Sequence, residues 1–229
     1  KQDSLEIRHM TAKEEDMLTS RTLLKKGVAL DRVIKSIIVD KRIDPDSLLV
    51  GDRNAIIIAT RISGYGADYE TKVTCPACGT SQNYGFNLNE SYIHTGEDDE
   101  FTDITNNNDG TFNVVLPRTG VNVTFKLMNG HDERRLLNGV TTDNKKKTAG
   151  KAVTRQLNNM IVAVEDDDSP QAIKYLVDNI PSLDARHLRL SYRRVAPNID
   201  LTQDFVCQEC DHEQEMEVPL SAEFFWPDR

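Results

Sequence analysis

The sequence predicts an α+β chain: a mainly helical body that carries one β-hairpin and a ribbon built from two cysteine knuckles. Three observations predict it. All four cysteines fall in two C-x-x-C pairs, Cys75–Cys78 and Cys207–Cys210, each between stretches that alternate apolar and polar residues. Apolar residues recur at helical spacing in several segments, most plainly at Leu30, Val33, Ile34, Ile37 and Ile38. Alternation on both sides of Pro117-Arg-Thr-Gly120 marks a hairpin.

In chain order, Leu5–Met10 alternates and suits a short strand. Thr11-Ala-Lys-Glu14 is a capping box that opens a helix through about Leu24, and Gly27 stops it. A second helix is expected over Ala29–Val39, followed by a turn at Asp44-Pro-Asp-Ser47. Leu48–Gly66 is the densest apolar segment. A buried strand is one reading of it, but its length, with Asp52 as N-cap and Gly64 as C-terminal stop, favours a helix. Asp52, Arg53 and Asn54 read as capping plus a salt bridge rather than as a site. Glu97–Asp109 is acidic and Asn-rich and reads as an exposed loop.

Phe112–Leu116 and Val121–Leu127 form the hairpin, and Asp132 caps a short helix through Leu137. Lys145–Lys147 is a local basic run, read as solvated. Helices are then expected over Ala149–Val164, Pro170–Asn179 and Ser182–Val195, with Ser169-Pro170 and Pro181-Ser182 as entry signals. Four regions result: an N-terminal helical region (1–66), a first knuckle hairpin (67–92), an inserted hairpin plus helical domain (93–198), and a second knuckle with an aromatic C-terminal tail (199–229).

The cysteine spacing carries the chemistry. Two Cys separated by two residues can point at one ion from a tight turn, and two such turns supply four thiolates. Pro76 and Gly79 suit the first turn, and Asp211 stands at the place of Gly79 in the second. Redox pairs need a βαβ setting and an electropositive neighbourhood, and disulfides within the pairs suit an oxidising compartment. Neither setting is indicated. The pattern favours one structural Zn²⁺ held by Cys75, Cys78, Cys207 and Cys210, in a zinc ribbon split by residues 79–206. Four thiolates fill a tetrahedral sphere and leave no open position for a reacting water. His212 reads as lying beside the centre rather than as a ligand.

The remaining composition narrows the function. The chain has 229 residues, a net charge of −9 and a pI near 5.1, which argues against broad phosphate-backbone binding. The longest apolar run, Ala55–Ala59, is far short of a membrane span, and Lys1–Met10 has no secretory apolar core. No phosphate-binding loop, nucleophile elbow or metalloprotease motif occurs. The five His are scattered without ligand spacing. The sequence makes no positive case for an enzyme or a small-molecule substrate. Two partner surfaces stand out. Phe224, Phe225 and Trp226 either pack on the ribbon or anchor in a neighbour. Arg186, Arg189, Arg193 and Arg194 give the last helix a basic face, solvated or facing an acidic partner.

The stretch from Leu48 to Tyr69, running into Cys75-Pro-Ala-Cys78, resembles the baseplate hub proteins of T4-like contractile-tailed bacteriophages. The distant second pair and the closing Glu223-Phe-Phe-Trp-Pro227 resemble the same family, over most of residues 28–229. The resemblance implies a virion structural part or an assembly factor, located in the tail baseplate or in the host cytoplasm during assembly. Its partners would be other baseplate and tail proteins, with no catalytic residues to carry over. The competing class is a nucleic-acid-binding zinc-ribbon accessory protein, opposed by Glu209, Asp211, Glu213, Glu215 and Glu217 around the second knuckle.

Overall fold

The computed structural model describes residues 4–96, 103–146, 151–220 and 222–225, and the side chains of 140–146, 222 and 223 are not among what it describes. Among the described residues eight helices and ten strands form, about 44% helix and 26% strand, with the strands in four small sheets. The expectation of a mainly helical body is corrected by these sheets. Four strands outside the expected hairpins account for the error. Tyr92–His94 pairs with Asn198–Asp200. Of the other two, Ile104–Asn106 falls in the Asn-rich segment read as loop, and Ile161–Val164 falls in the segment read as the end of a helix. The first is short and polar. In the second, the helix Ala152–Met160 stops when Ile161 turns extended (φ −74°, ψ 131°), and the β-branched run that follows pairs with Asn122–Lys126.

The chain divides into two compact units. The second, Asp46–Val50 with Thr95–Pro197, is built on a four-stranded antiparallel sheet. The predicted hairpin forms its centre, Thr111–Val115 against Asn122–Lys126, flanked by Ile104–Asn106 and Ile161–Val164. The alternation buries Phe112, Val114, Val123 and Phe125 on one face, where they meet Leu157 and Met160, Leu176 and Val177, and Leu188 from three helices. The last two helices, Pro170–Asn179 and Ser182–Val195, have the predicted bounds. Buried Asp184 accepts from the amides of Arg118 and Thr119 at 2.8 and 3.1 Å and from the Thr119 hydroxyl, which ties the hairpin turn to the last helix. The helix opened by Gly130 runs to Lys146, past the Leu137 end expected for it. Its cap is Asn129, which accepts from the amide of Asp132.

The first unit comprises Lys1–Pro45, Gly51–His94 and Asn198–Arg229. Its N-terminal helix is split: Ala12–Thr19 and Arg21–Lys25 meet at Ser20, whose extended backbone ends one and whose hydroxyl caps the other. The next helix, Ala29–Ile37, buries Val33, Ile34 and Ile37. The strand expected over Leu5–Met10 is reduced to one antiparallel bridge, Ile7 to Ile38. Leu48–Gly66 is a helix, Val50–Tyr65. Its start precedes Asp52, so Asp52 lies in the first turn rather than at the cap. Its stop is Gly66 (φ 85°) rather than Gly64. Arg53 makes the expected salt bridge, to Asp31 at 2.5 Å.

Glu14 is the centre of the N-terminal packing. It is fully buried and accepts five hydrogen bonds: two from Arg8, one from Ser36, and one each from the Thr11 amide and hydroxyl. The Arg8 guanidinium holds its carboxyl far below the usual carboxylate range, against the opposing effect of burial, with Ser36 and Thr11 assisting. Because the folded-state value is depressed, the stabilisation is complete above the unfolded value of about 4.3 and is lost as pH falls from there. Glu14→Gln should therefore cost about 2 kcal/mol at neutral pH, less than a fully buried pair because Arg8 is partly exposed. The gap between variant and wild type in denaturant titrations should narrow steadily below about pH 4.

Candidate metal centre

Each cysteine pair sits at the turn of a two-stranded antiparallel hairpin: Asp68–Thr74 with Ser81–Asn87, and Thr202–Val206 with Glu213–Glu217. The two turns are closed the same way. Cys75 N–H donates to the Thr80 carbonyl and Gly79 N–H to the Cys75 carbonyl, both at 2.9 Å. Cys207 N–H donates to the His212 carbonyl at 2.9 Å and Asp211 N–H to the Cys207 carbonyl at 3.0 Å. Gly79 (φ 73°) and Asp211 (φ 54°) take the left-handed backbone that each turn requires. These turns aim all four sulfurs at one point.

The four Sγ atoms lie within 4.8 Å of one another. Two contacts join the hairpins: Cys75 to Cys210 at 3.8 Å and Cys78 to Cys207 at 3.7 Å. A Zn–S bond of about 2.3 Å places the sulfurs of a regular tetrahedron about 3.8 Å apart, so both distances fit the edge of a zinc-thiolate tetrahedron. Two separate dithiol pairs would give no reason for sulfurs of different hairpins to lie this close. All four cysteines are free of disulfides. Cys75 and Cys207 are buried while Cys78 and Cys210 face outward, so the centre lies at the ribbon surface with its inner half dry. The hydroxyl and amide of Thr80 bring the Cys78 thiol down to about 6. The His212 amide acts in the same direction on Cys210, but desolvation and the other three sulfurs prevail and push it up to about 12. Four thiols this close resist sharing several negative charges unless a cation sits among them.

Residues that the motif did not single out hold the hairpins together. Gln82 reaches across with both ends of its amide. Its oxygen accepts from the Gln208 amide at 3.1 Å and its nitrogen donates to the Val206 carbonyl at 3.4 Å. The Tyr84 ring lies 5.0 Å from both Phe86 and Phe205, and its hydroxyl donates to the Asp204 carbonyl. Gln203 bonds both backbone groups of Asn87. The only signal for these residues in the sequence is their position on the alternating strands.

The other predicted residues lie apart from the sulfurs. Phe224 and Phe225 are buried within the first unit, at 3% and 7% exposure, with Phe224 edge-on to Tyr69 at 5.3 Å. That burial leaves little of either ring for a neighbour. Trp226, Lys147 and residues 97–102 lie outside the described residues. Arg189 is half-buried in the second unit and donates to the Ala185 carbonyl, and Arg193 is exposed. Glu209, Asp211, Glu213, Glu215 and Glu217 are all exposed along the second hairpin. No helix among the described residues is long and apolar enough to cross a membrane.

Two outcomes follow from this packing. Gly79→Val should cost about 2 kcal/mol or more and Gly79→Asp about 1 kcal/mol or less, because the second knuckle already carries Asp at that position. Chemical denaturation of the two variants checks the order. Phe224→Ala should destabilise the chain by about 3 kcal/mol in the same assay, whereas a ring reserved for a partner would leave stability unchanged.

A family model described as T4 bacteriophage base plate protein matches residues 1–226. No curated protein and no solved structure matches the chain.

Proposed function

Since the chain belongs to the T4 bacteriophage base plate protein family over residues 1–226, we propose that it is a structural component or assembly factor of the hub region of a contractile tail baseplate, and that one structural Zn²⁺ fixes its ribbon. The observation that carries the metal reading is the sulfur geometry: two cross-hairpin distances of 3.7 and 3.8 Å that fit a zinc-thiolate tetrahedron. The family supports a place among the proteins of the tail baseplate, and so supports phage proteins as partners. A non-catalytic role accords with four ligands that would fill the metal's coordination sphere.

In this reading Cys75, Cys78, Cys207 and Cys210 are the ligands, and Gln82, Thr80 and the knuckle amides orient and support them. The metal closes a loop comprising residues 79–206, so its removal raises the chain entropy that the ribbon must overcome to form. The regional division into 1–66, 67–92, 93–198 and 199–229 stands as part of the same proposal, with the ribbon hairpins as separate segments joined by the ion. The exposed carboxylates along the second hairpin favour contact with protein over nucleic acid. Arg189 and Arg193 provide the basic surface of the other unit for such contacts.

The decisive measurement for the assembly role is mass spectrometry of purified virions and of baseplate intermediates. Peptides of this chain in either place support the reading, and their absence from both overturns it. For the metal, elemental analysis of protein purified without chelator should return about one zinc per chain. Cys75→Ser or Cys207→Ser should abolish that content and lower the melting temperature. Bound metal should be released as pH falls, because protons compete for the thiolates. A folded protein with four titratable thiols and no zinc would overturn the metal reading without touching the family assignment.

A further inference from the structure

The first unit contains an open cleft of about 510 Å³ beside the second ribbon hairpin, walled by Leu18, Leu24, Leu30, Ile57, Leu220 and Phe224 among others. It is far more apolar than an exposed surface needs to be. Leu24, Leu30 and Leu220 are 53%, 41% and 52% exposed. Glu217 lines one side. Glu213 and Glu215 precede it at two-residue intervals on the exposed face of the same strand, which forms an acidic rail next to an apolar trough.

The second unit carries a surface of the opposite kind. The helix Ser182–Val195 turns Ala185, Leu188 and Val195 inward. Leu183, Arg186, Leu190 and Arg193 lie on the reverse side, within about 80° of helix circumference, and all four are exposed. The stripe alternates apolar and cationic residues. It covers about 15 Å of helix axis from Leu183 to Arg193, and the rail from Glu213 to Glu217 covers about 13 Å of strand.

We propose that the cleft of one copy receives the Leu183–Arg193 stripe of a second copy of this chain, with the leucines in the trough and the arginines along Glu215 and Glu217. The occupant is a second copy because the chain presents both halves of the match: apolar trough with acidic rail, and apolar-cationic stripe of similar length. The two halves are different surfaces, so the contact is heterologous. It propagates head to tail and closes into a ring where the rotation allows. Apolar burial supplies most of the affinity, and the charges set register and salt dependence. The inference does not rest on the baseplate reading.

The test is sedimentation equilibrium of the full metal-loaded chain over a range of concentrations. Reversible self-association that weakens with salt is expected, and a monomer at every concentration overturns the proposal. Arg186→Glu with Arg193→Glu removes one half of the contact, and Leu24→Asp with Leu30→Asp removes the other. All four side chains are exposed, so folding should survive, which circular dichroism and zinc content verify. Each double variant alone should associate about tenfold or more weakly than wild type. An equimolar mixture should form a one-to-one complex that grows no further, since each partner keeps one working half. If the Leu variant fails to fold, Glu217→Arg mixed with Arg186→Glu is the substitute. Variants that associate like wild type, or mixtures that stay monomeric, overturn the heterologous contact.

Discussion

The first unit depends on four sulfur atoms meeting at one point. Neither ribbon hairpin has enough apolar surface to stand by itself, since an isolated two-stranded hairpin is marginal in water. Here each hairpin buries little beyond alternate residues: Tyr69, Thr71, Val73 and Phe86 in the first, and Phe205 in the second, with Val218 just beyond it. What joins them is the cysteine cluster at one end, with the side chains of Gln82, Tyr84 and Gln203 below it. The polar contacts are individually worth about 1 kcal/mol. The sulfurs are different. Without a cation their shared proton equilibrium works against close approach, and with one it reverses into the strongest link of the ribbon.

A second constraint lies at the other end of the first hairpin. Arg61 is 1% exposed, donates to the Gly66 and Asp68 carbonyls at 2.6 and 3.0 Å, and its Nε has no partner among the described residues. Burial lowers its affinity for the proton, and the rings of Tyr65, Tyr69 and Phe224 surround the guanidinium at 5.5 to 6.0 Å. The cation thus caps the end of the Val50–Tyr65 helix and directs the chain into the ribbon through Gly66. Phe224 completes the aromatic cage. Phe224 and Phe225 are therefore part of the scaffold at this end of the ribbon, and their burial follows from what they cover.

How much of this was legible in the sequence depends on how local each signal is. The cysteine spacing, the capping box at Thr11 and Glu14, the hairpin at Pro117–Gly120 and the helices opened by Ser169 and Pro181 are set within a few residues, and all of them formed. The role of Glu14 went further than its motif, because Arg8 and Ser36 come from other segments of the chain. The strand Ile161–Val164 was missed because an apolar run following Leu157 and Met160 fits helix or buried strand equally well, and only the open edge of Asn122–Lys126 decides between them. The cap read at Asp52 lies three residues inside the true boundary and the stop read at Gly64 two residues before it, since any short polar residue or glycine near a helix end reads as a boundary. Gln82, Tyr84 and Gln203 had no signal because their partners lie on the other side of residues 88–201.

The acidity of the chain changes meaning once it is placed. A net charge of −9 spread evenly would say only that nucleic acid is a poor partner. Five carboxylates instead stand on or beside one hairpin, next to an apolar cleft and beside the cysteine cluster. Like charges along a strand repel, and a hairpin held only by its backbone would relieve that repulsion by fraying. A metal bound by the four clustered sulfurs at its turn would remove that route. An ion held there would let the chain display a dense anionic surface at a fixed geometry, which would select partners by the spacing of their cations rather than by charge alone.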